Sequence, residues 1–297
     1  MNLWEGAWDL HVHSAPDVIG RKVTDHELMQ RLIACGMKGY AIKSHISSTT
    51  GRAKLMNEIH PQAIAVGTIT LNNAVGGINP FAVELAAMDG AKLVWLPTID
   101  AKNESDHIMA NAAQASDKTK MPFFAKFRVE LAEKGKLQPP ITILEAGKLS
   151  KQMQEVLDVV CERNIALATG HISAEETFIL AKECKTRNYK KLIVTHPNFP
   201  STRYTKEQQK ELADMGAIME QCFTTPYTGK ITWDQAFDEI RYVGSQRCMI
   251  STDLGQPAYV YPDEGIRIYA EKLIENGFSD HEVSTMICTI PEFIING

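Results

Sequence analysis

A single-domain (β/α)8 TIM barrel is the fold this sequence predicts, and three observations predict it. Eight short apolar runs with strand character recur along the chain, helical patterns separate them, and no G-x-G-x-x-G follows any of the runs. Alternating strands and helices build a parallel sheet covered on both faces. Eight such units fit the 297 residues, since a closed barrel of this kind usually takes about 250. The missing glycine fingerprint disfavours the alternative, a doubly wound open sheet.

The runs begin with AWDLHVH (7–13), KGYAIKSH (38–45), QAIAVGTIT (62–70) and AKLVWLPT (91–98). They continue with NIALATGH (164–171), KKLIVTH (190–196), GAIMEQC (216–222) and RCMISTD (247–253). Each is short and apolar, as a strand buried on both faces should be. The first helix reads TDHELMQRLIACG, with Thr24 as a cap, Glu27 three residues on and a glycine stop. One connection, residues 99–163 between the fourth and fifth runs, is unusually long. It contains MPFFAKFRVELAEKGKLQPPITILEAG, which reads as a small hairpin plus helix. An insertion of that size in a βα loop usually serves as a lid or an interface. SKQMQEVLDVVCER then starts a helix at Ser150, with Met153, Val156, Leu157 and Val160 on one stripe. SAEETFILAKECKTR carries Ser173 and Glu176 in capping-box spacing, and TKEQQKELADMG stops at Gly216. No repeat, low-complexity tract or linker divides residues 1–297.

Composition excludes several classes. The chain is 44% apolar with a formal net charge of −5, so it lacks the basic footprint of a nucleic-acid binder. The opening NLWEGAWDLHVHS includes Glu5 and Asp9 and has no basic segment before an apolar run, so no secretory leader is expected. No apolar run approaches the ~18 residues of a membrane span. Cys35, Cys161, Cys184, Cys222, Cys248 and Cys288 form no C-x-x-C pair. Scattered cysteines in a chain of this length fit buried, reduced thiols in a cytoplasmic protein.

The ionisable residues fall where a barrel does chemistry. Residues i and i+2 of a strand share a face, so His11 and His13 point the same way. The second run ends with Lys43 and His45 on one face, the fifth at His171, the sixth at His196 and the eighth at Asp253. At the carboxyl ends of barrel strands, these seven side chains converge on one mouth. A lone histidine at a strand end is more often a hydrogen-bonded core residue than a ligand. Five of nine histidines in such positions, with an aspartate, point instead to a metal centre. His26, His60, His107 and His281 fall in helices or loops and are expected at the surface.

At these residues the sequence resembles the amidohydrolase superfamily, whose pattern is H-x-H on strand 1, His on strands 5 and 6, and Asp on strand 8. Here these read HVH, GHIS, THPN and STD. The resemblance covers the whole chain, including the closing FSDHEVSTMICTIPEFII, which is similar to that superfamily's terminal helix. More narrowly, HVHSAPD and IKSH resemble an uncharacterised bacterial amidohydrolase-like group. The resemblance implies that His11 and His13 hold the more buried metal and that His171 and His196 hold a second. Asp253 would ligate a metal and act as the base.

One departure matters. Two-metal members usually bridge the ions with a carbamylated lysine or a glutamate on strand 4, and strand 4 here ends WLPTID. Glu145 sits within the insertion beside a glycine turn, which leaves Lys43 the better candidate. Burial in the barrel would lower the lysine's pKa and free its amine for CO2. A salt bridge from Lys43 to Glu220, or a direct role in orienting substrate, is the other reading. AIKSH also stands where the polymerase-and-histidinol-phosphatase (PHP) phosphoesterases carry TDH. Their bridging glutamate is missing from AVGTIT, and Leu254 and Gly255 replace the end of their D-x-H. His45 is therefore either a metal ligand or a substrate-binding residue.

The donor set suits one or two divalent ions, Zn2+ first, with Mn2+ or Fe2+ as alternatives. The expected reaction uses a metal-activated water to cleave an amide, a cyclic amide or imide, or a lactone of a small molecule. Asp253 takes the proton, and His45 or Lys43 polarises the carbonyl. Arg21 and Arg203 lie in loops that would rim the mouth and could clamp a carboxylate or phosphate. Glu220 would support a ligand histidine or meet Lys43. The alternatives are a PHP-like phosphoesterase, a deaminase, and a non-catalytic binding protein on the same barrel. The long insertion and the superfamily's habit suggest a homo-oligomer.

Overall fold

The computed structural model describes residues 3–114 and 121–297. Residues 115–120, inside the expected insertion, lie outside the described residues.

The first half alternates strand and helix as β1 (Trp8–Val12), α1 (Asp25–Cys35), β2 (Gly39–Ile42), α2 (Thr50–Ile59), β3 (Ile64–Thr70), α3 (Pro80–Met88) and β4 (Ala91–Trp95). Residues 99–163 then supply α4 (Lys102–Gln114), α5 (Phe123–Glu133), the antiparallel pair β5 (Leu144–Glu145) and β6 (Lys148–Leu149), and α6 (Lys151–Glu162). The alternation resumes with β7 (Ala166–Ala168), α7 (Ala174–Thr186), β8 (Leu192–Thr195), α8 (Lys206–Asp214) and β9 (Ile218–Cys222). It ends with the short α9 (Thr224–Tyr227), α10 (Trp233–Val243), β10 (Cys248–Ser251), α11 (Pro262–Glu275), α12 (Asp280–Ser284) and α13 (Ile290–Asn296).

Apart from the β5–β6 hairpin, the strands form one parallel sheet in chain order, β1-β2-β3-β4-β7-β8-β9-β10. The barrel closes just past the ends of β10 and β1. There the Asp253 N–H donates to the His11 carbonyl, and the His13 N–H to the Leu254 carbonyl, both at 2.8 Å. The fold is the expected (β/α)8 barrel, with every strand shorter at one or both ends than its apolar run. An apolar run continues into a loop when that loop is itself covered, so composition overstates strand length.

Local signals act as the sequence suggests. Thr24 with Glu27 and Ser173 with Glu176 form reciprocal capping boxes. Ser150 caps α6, whose Met153, Val156, Leu157 and Val160 are buried. Three of the cysteines, Cys35, Cys161 and Cys288, are only half-buried, and all six are free thiols.

Two cores result. One lies between sheet and helices. The other fills the barrel with inward side chains that include Trp8, Leu10, Val66, Leu93, Trp95 and Met249. Ile290, Ile294 and Ile295 of α13 close that inner core at the amino end of the strands. Trp8 Nε1 donates to Glu292 Oε2 at 3.1 Å, and Lys38 pairs with the same carboxylate at 2.8 Å. The bottom is thus sealed, and the open end is the one where strands deliver their carboxyl termini.

β1 carries an irregularity that serves the site. Its register against β2 slips between Asp9 and Val12, as at a β-bulge, which re-aims side chains. Leu10 packs in the inner core while the next residue, His11, faces the mouth. The Asp9 carboxylate holds the slip by accepting the His11 N–H (3.2 Å), the Thr252 N–H (3.0 Å) and the Thr252 hydroxyl.

Candidate metal centre

The seven candidate residues meet at the open end. His13, Lys43, His45, His171, His196 and Asp253 line one cavity of about 620 Å3, and His11 lies fully buried directly behind it. Only His11 belongs to a strand. The others stand one to three residues beyond a strand end, where the chain has left the ladder to turn towards its helix. His196 (φ 26°) and Asp253 (φ 55°) take left-handed backbone to do so. That conformation costs a non-glycine residue about 1 kcal/mol or more and is kept where packing enforces it.

Three donors converge. His11 Nε2 lies 3.1 Å and His13 Nε2 3.2 Å from the same oxygen, Asp253 Oδ1. Zn–N and Zn–O bonds of about 2.0–2.2 Å at tetrahedral angles place neighbouring donors about 3.3 Å apart, so this triad fits a divalent ion. Across the mouth, His171 Nε2 and His196 Nε2 face each other at 3.1 Å. Two imidazole nitrogens can approach so closely when one donates to the other or when both point lone pairs at a cation.

Carboxylates stand behind two of these rings. Glu220 Oε1 lies 3.3 Å from His11 Nδ1, and Glu104 Oε2 lies 3.1 Å from His171 Nδ1. A carboxylate behind a histidine fixes the ring and directs Nε2 forward. Glu220 was a candidate for supporting a histidine or meeting Lys43, and its direct contact is the histidine. Lys43 Nζ instead lies 2.8 Å from His11 Nε2, on the side facing Asp253.

Burial and neighbouring charge set the protonation states. Burial opposes the charge on Asp253, but His11 and His13 outweigh it and hold the carboxyl well below the ordinary range. His13 is pushed down to about 3, mainly by burial. Burial also pushes His45 and His196 well below the usual histidine value. For His11, burial and Lys43 oppose protonation, and Asp253 and Glu220 reverse them to raise the pKa. Burial lowers the Lys43 ammonium against the pull of Asp253 and Glu220. His13, His45 and His196 are thereby kept neutral beside an ionised Asp253, while the two carboxylates favour the charged form of His11.

Three expectations change. Arg21 lines the cavity, but its guanidinium is paired with Asp17 at 2.6 Å and stands 3.4 Å from His13 Nδ1. Its charge is already matched by Asp17, so it offers no free clamp. Arg203 is exposed and is absent from the cavity wall. Its left-handed backbone (φ 39°) follows a tight turn that carries the side chain outward. His107, expected at the surface, lines the cavity because α4 folds back over the mouth. Glu145 is exposed in the hairpin, away from the metal ligands.

The sequence alone missed Asp9, Glu104, Asn72 and Thr98. A D-x-H-x-H spacing could have marked Asp9. Glu104 looks like an ordinary helix-surface charge in KNESDH, yet it is only 8% exposed. Phe124 of α5 packs edge-on against His45 at 5.0 Å, so the segment after β4 forms one wall of the cavity. A buried pair between Arg128 of α5 and Asp100 pins that wall to the barrel.

Comparison with known proteins places this architecture. Residues 6–220 match the model of a family described as of unknown function, DUF6282. No curated protein matches by sequence. An amidohydrolase from Pseudomonas aeruginosa superposes with a TM-score of 0.63 at 11% identity, over 100% of this chain and 98% of that one. A TatD homolog from Escherichia coli K12 gives 0.52 at 14%, over 100% of both chains. A beta-aspartyl dipeptidase from Fervidobacterium islandicum AW-1 gives 0.58 at 12%, over 98% of this chain and 73% of that one. At these identities the likeness is one of fold.

Proposed function

Because the chain belongs to DUF6282, a family of unknown function, we propose from its site that the protein is a metal-dependent hydrolase of the amidohydrolase type. It cleaves an amide, a cyclic amide or imide, or a lactone of a small molecule. The observation that carries this reading is the convergence of His11 Nε2 and His13 Nε2 on Asp253 Oδ1 at the open end of the barrel. The similar structures, an amidohydrolase and a dipeptidase among them, support the same chemistry.

His11, His13 and Asp253 would hold one divalent ion, and His171 with His196 would contribute to a second. Zn2+ suits the donors best. Bound there, the ion supplies Lewis acidity and lowers the pKa of water towards ~7. Asp253, kept ionised by the two histidines, accepts the water's proton and passes it to the leaving nitrogen or oxygen. The Thr224 hydroxyl, 3.3 Å from Asp253 Oδ2, steadies the second oxygen. Lys43 is fully buried with its amine on the metal-facing side of His11. As a carbamate, formed by its neutral amine with CO2 and loss of a proton, Lys43 would supply the carboxylate ligand that strand 4 lacks. His45 contributes to polarising the substrate carbonyl.

The test is metal content by plasma mass spectrometry on protein purified without chelator, with Lys43→Ala alongside. About two ions per chain, falling in the variant, is the expected result. About one ion in both proteins would remove Lys43 from the metal set. No metal under any condition would sink the reading. A panel of lactones and cyclic amides with added Zn2+, run against p-nitrophenyl phosphate, separates this chemistry from phosphoester cleavage.

A further inference from the structure

We infer that Asn72 and Thr98 hold His45 as the tautomer with its proton on Nε2, so that His45 presents a neutral hydrogen-bond donor to the cavity and not a metal-ligating nitrogen. The use of that donor on a substrate oxygen rests on the hydrolase reading above; the tautomer does not.

The chain of bonds begins at Asn72, fully buried just past β3. Its Oδ1 lies 2.9 Å from the Thr98 backbone nitrogen and 3.3 Å from that of Asp100. A backbone N–H can only donate, so these two bonds fix which end of the amide is oxygen. Nδ2 then donates to the His45 carbonyl at 2.9 Å and to Thr98 Oγ1 at 2.8 Å, which uses both of its protons.

Thr98, also fully buried, therefore receives a proton at Oγ1 and stands 2.8 Å from His45 Nδ1. Its own hydroxyl proton has no other acceptor among the described residues. A buried donor left unpaired costs about 1–3 kcal/mol. Donation from Thr98 to His45 Nδ1 is the arrangement that leaves no proton stranded. With Nδ1 accepting, the neutral ring carries its hydrogen on Nε2.

The ring's plane is set as well. It stacks on His13 at 4.8 Å between centroids and meets the edge of Phe124 at 5.0 Å. His45 lines the cavity, and no protein group among the described residues bonds its Nε2. A nitrogen that ligates a metal must be unprotonated, so this tautomer excludes His45 from the metal set. It suits a donor aimed at an oxygen on which negative charge develops. Asn72 and Thr98 act through His45 and are positioning residues.

The experiment is a long-range proton–nitrogen correlation spectrum of protein labelled with 15N-histidine, with zinc added to saturation. His45→Ala assigns the signal. Wild type and Thr98→Ser are expected to show a protonated Nε2 and a bare Nδ1, and Thr98→Val to populate the other tautomer. A bare Nε2 in zinc-loaded wild type would overturn the inference. On any lactone or cyclic amide that wild type turns over, Thr98→Val should lower kcat about tenfold with KM within about twofold, and His45→Ala should lower kcat about a hundredfold. Unchanged kcat in both variants would overturn the catalytic role. A wild type inactive on the whole panel would count against the hydrolase reading while the spectrum still decided the tautomer.

Discussion

Replacing Gly170 by alanine should cost far more than a turn glycine usually does. Gly170 sits between β7 and His171 at φ 58°, a left-handed conformation that costs an L-residue about 1–2 kcal/mol. A Cβ there would meet the carbonyl oxygens of Leu96 and Pro97 at 2.4 and 2.6 Å. Both are backbone atoms, and the Pro97 carbonyl already accepts the His171 N–H at 2.9 Å. The methyl must therefore displace the β4 end or the His171 loop, an overpacking penalty of about 1–3 kcal/mol. Together these give about 2–5 kcal/mol, or a fall in Tm of roughly 4–10 °C for a chain of this size. Gly135 is the control. It has nearly the same φ, 63°, and a methyl group there would meet nothing within 4 Å, so Gly135→Ala should cost only about 1–2 kcal/mol. Thermal melts of both variants with and without zinc form the assay. Gly170→Ala should also lose part of its zinc-dependent stabilisation, because His171 moves with the loop. Equal melting temperatures for the two variants would refute the argument from close approach.

Other outcomes follow from the same geometry. Asp253→Asn should bind metal more weakly but fold, and kcat on any substrate found should drop at least a hundredfold; turnover near that of wild type would remove Asp253 as the base. Glu104→Gln keeps the shape but withdraws the charge behind His171, and metal affinity measured by chelator competition should weaken about 10–100-fold. Arg128→Met removes the guanidinium from partly buried Asp100, which keeps the Asn73 N–H at 2.9 Å; a loss of about 1–3 kcal/mol in urea unfolding is expected, and no measurable change would show that α5 is not pinned there. Burial pushes the Cys184 thiol up to about 12. The thiolate reacts, and raising the pKa depletes it, so Cys184 should resist iodoacetamide in folded protein at pH 8 while the more exposed Cys35, Cys161 and Cys288, which burial also raises but less far, label. Intact-mass counting would detect more than three labels if this is wrong.

The sequence by itself determined the architecture and most of the inner ring of the site. Alternating apolar runs and capped helices dictate a parallel sheet, and a two-residue spacing such as His11 and His13 reads directly as one face of a strand. Strand-end positions are also local in sequence, so Lys43, His45, His171, His196 and Asp253 could be placed at one mouth before any contact was known. Only the tertiary structure decided what stands behind them. Glu104 reaches His171 from a helix 67 positions away, and nothing in helical periodicity distinguishes a carboxylate facing solvent from one facing a buried ring. Arg203 and His107 exchanged their expected places for a similar reason, since a loop's direction depends on what packs against it. The proton on His45 depends on an amide and a hydroxyl contributed by the loops after two other strands. Hydrogen-bond direction is settled by the whole set of donors and acceptors enclosed together, and that set exists only once the barrel has closed.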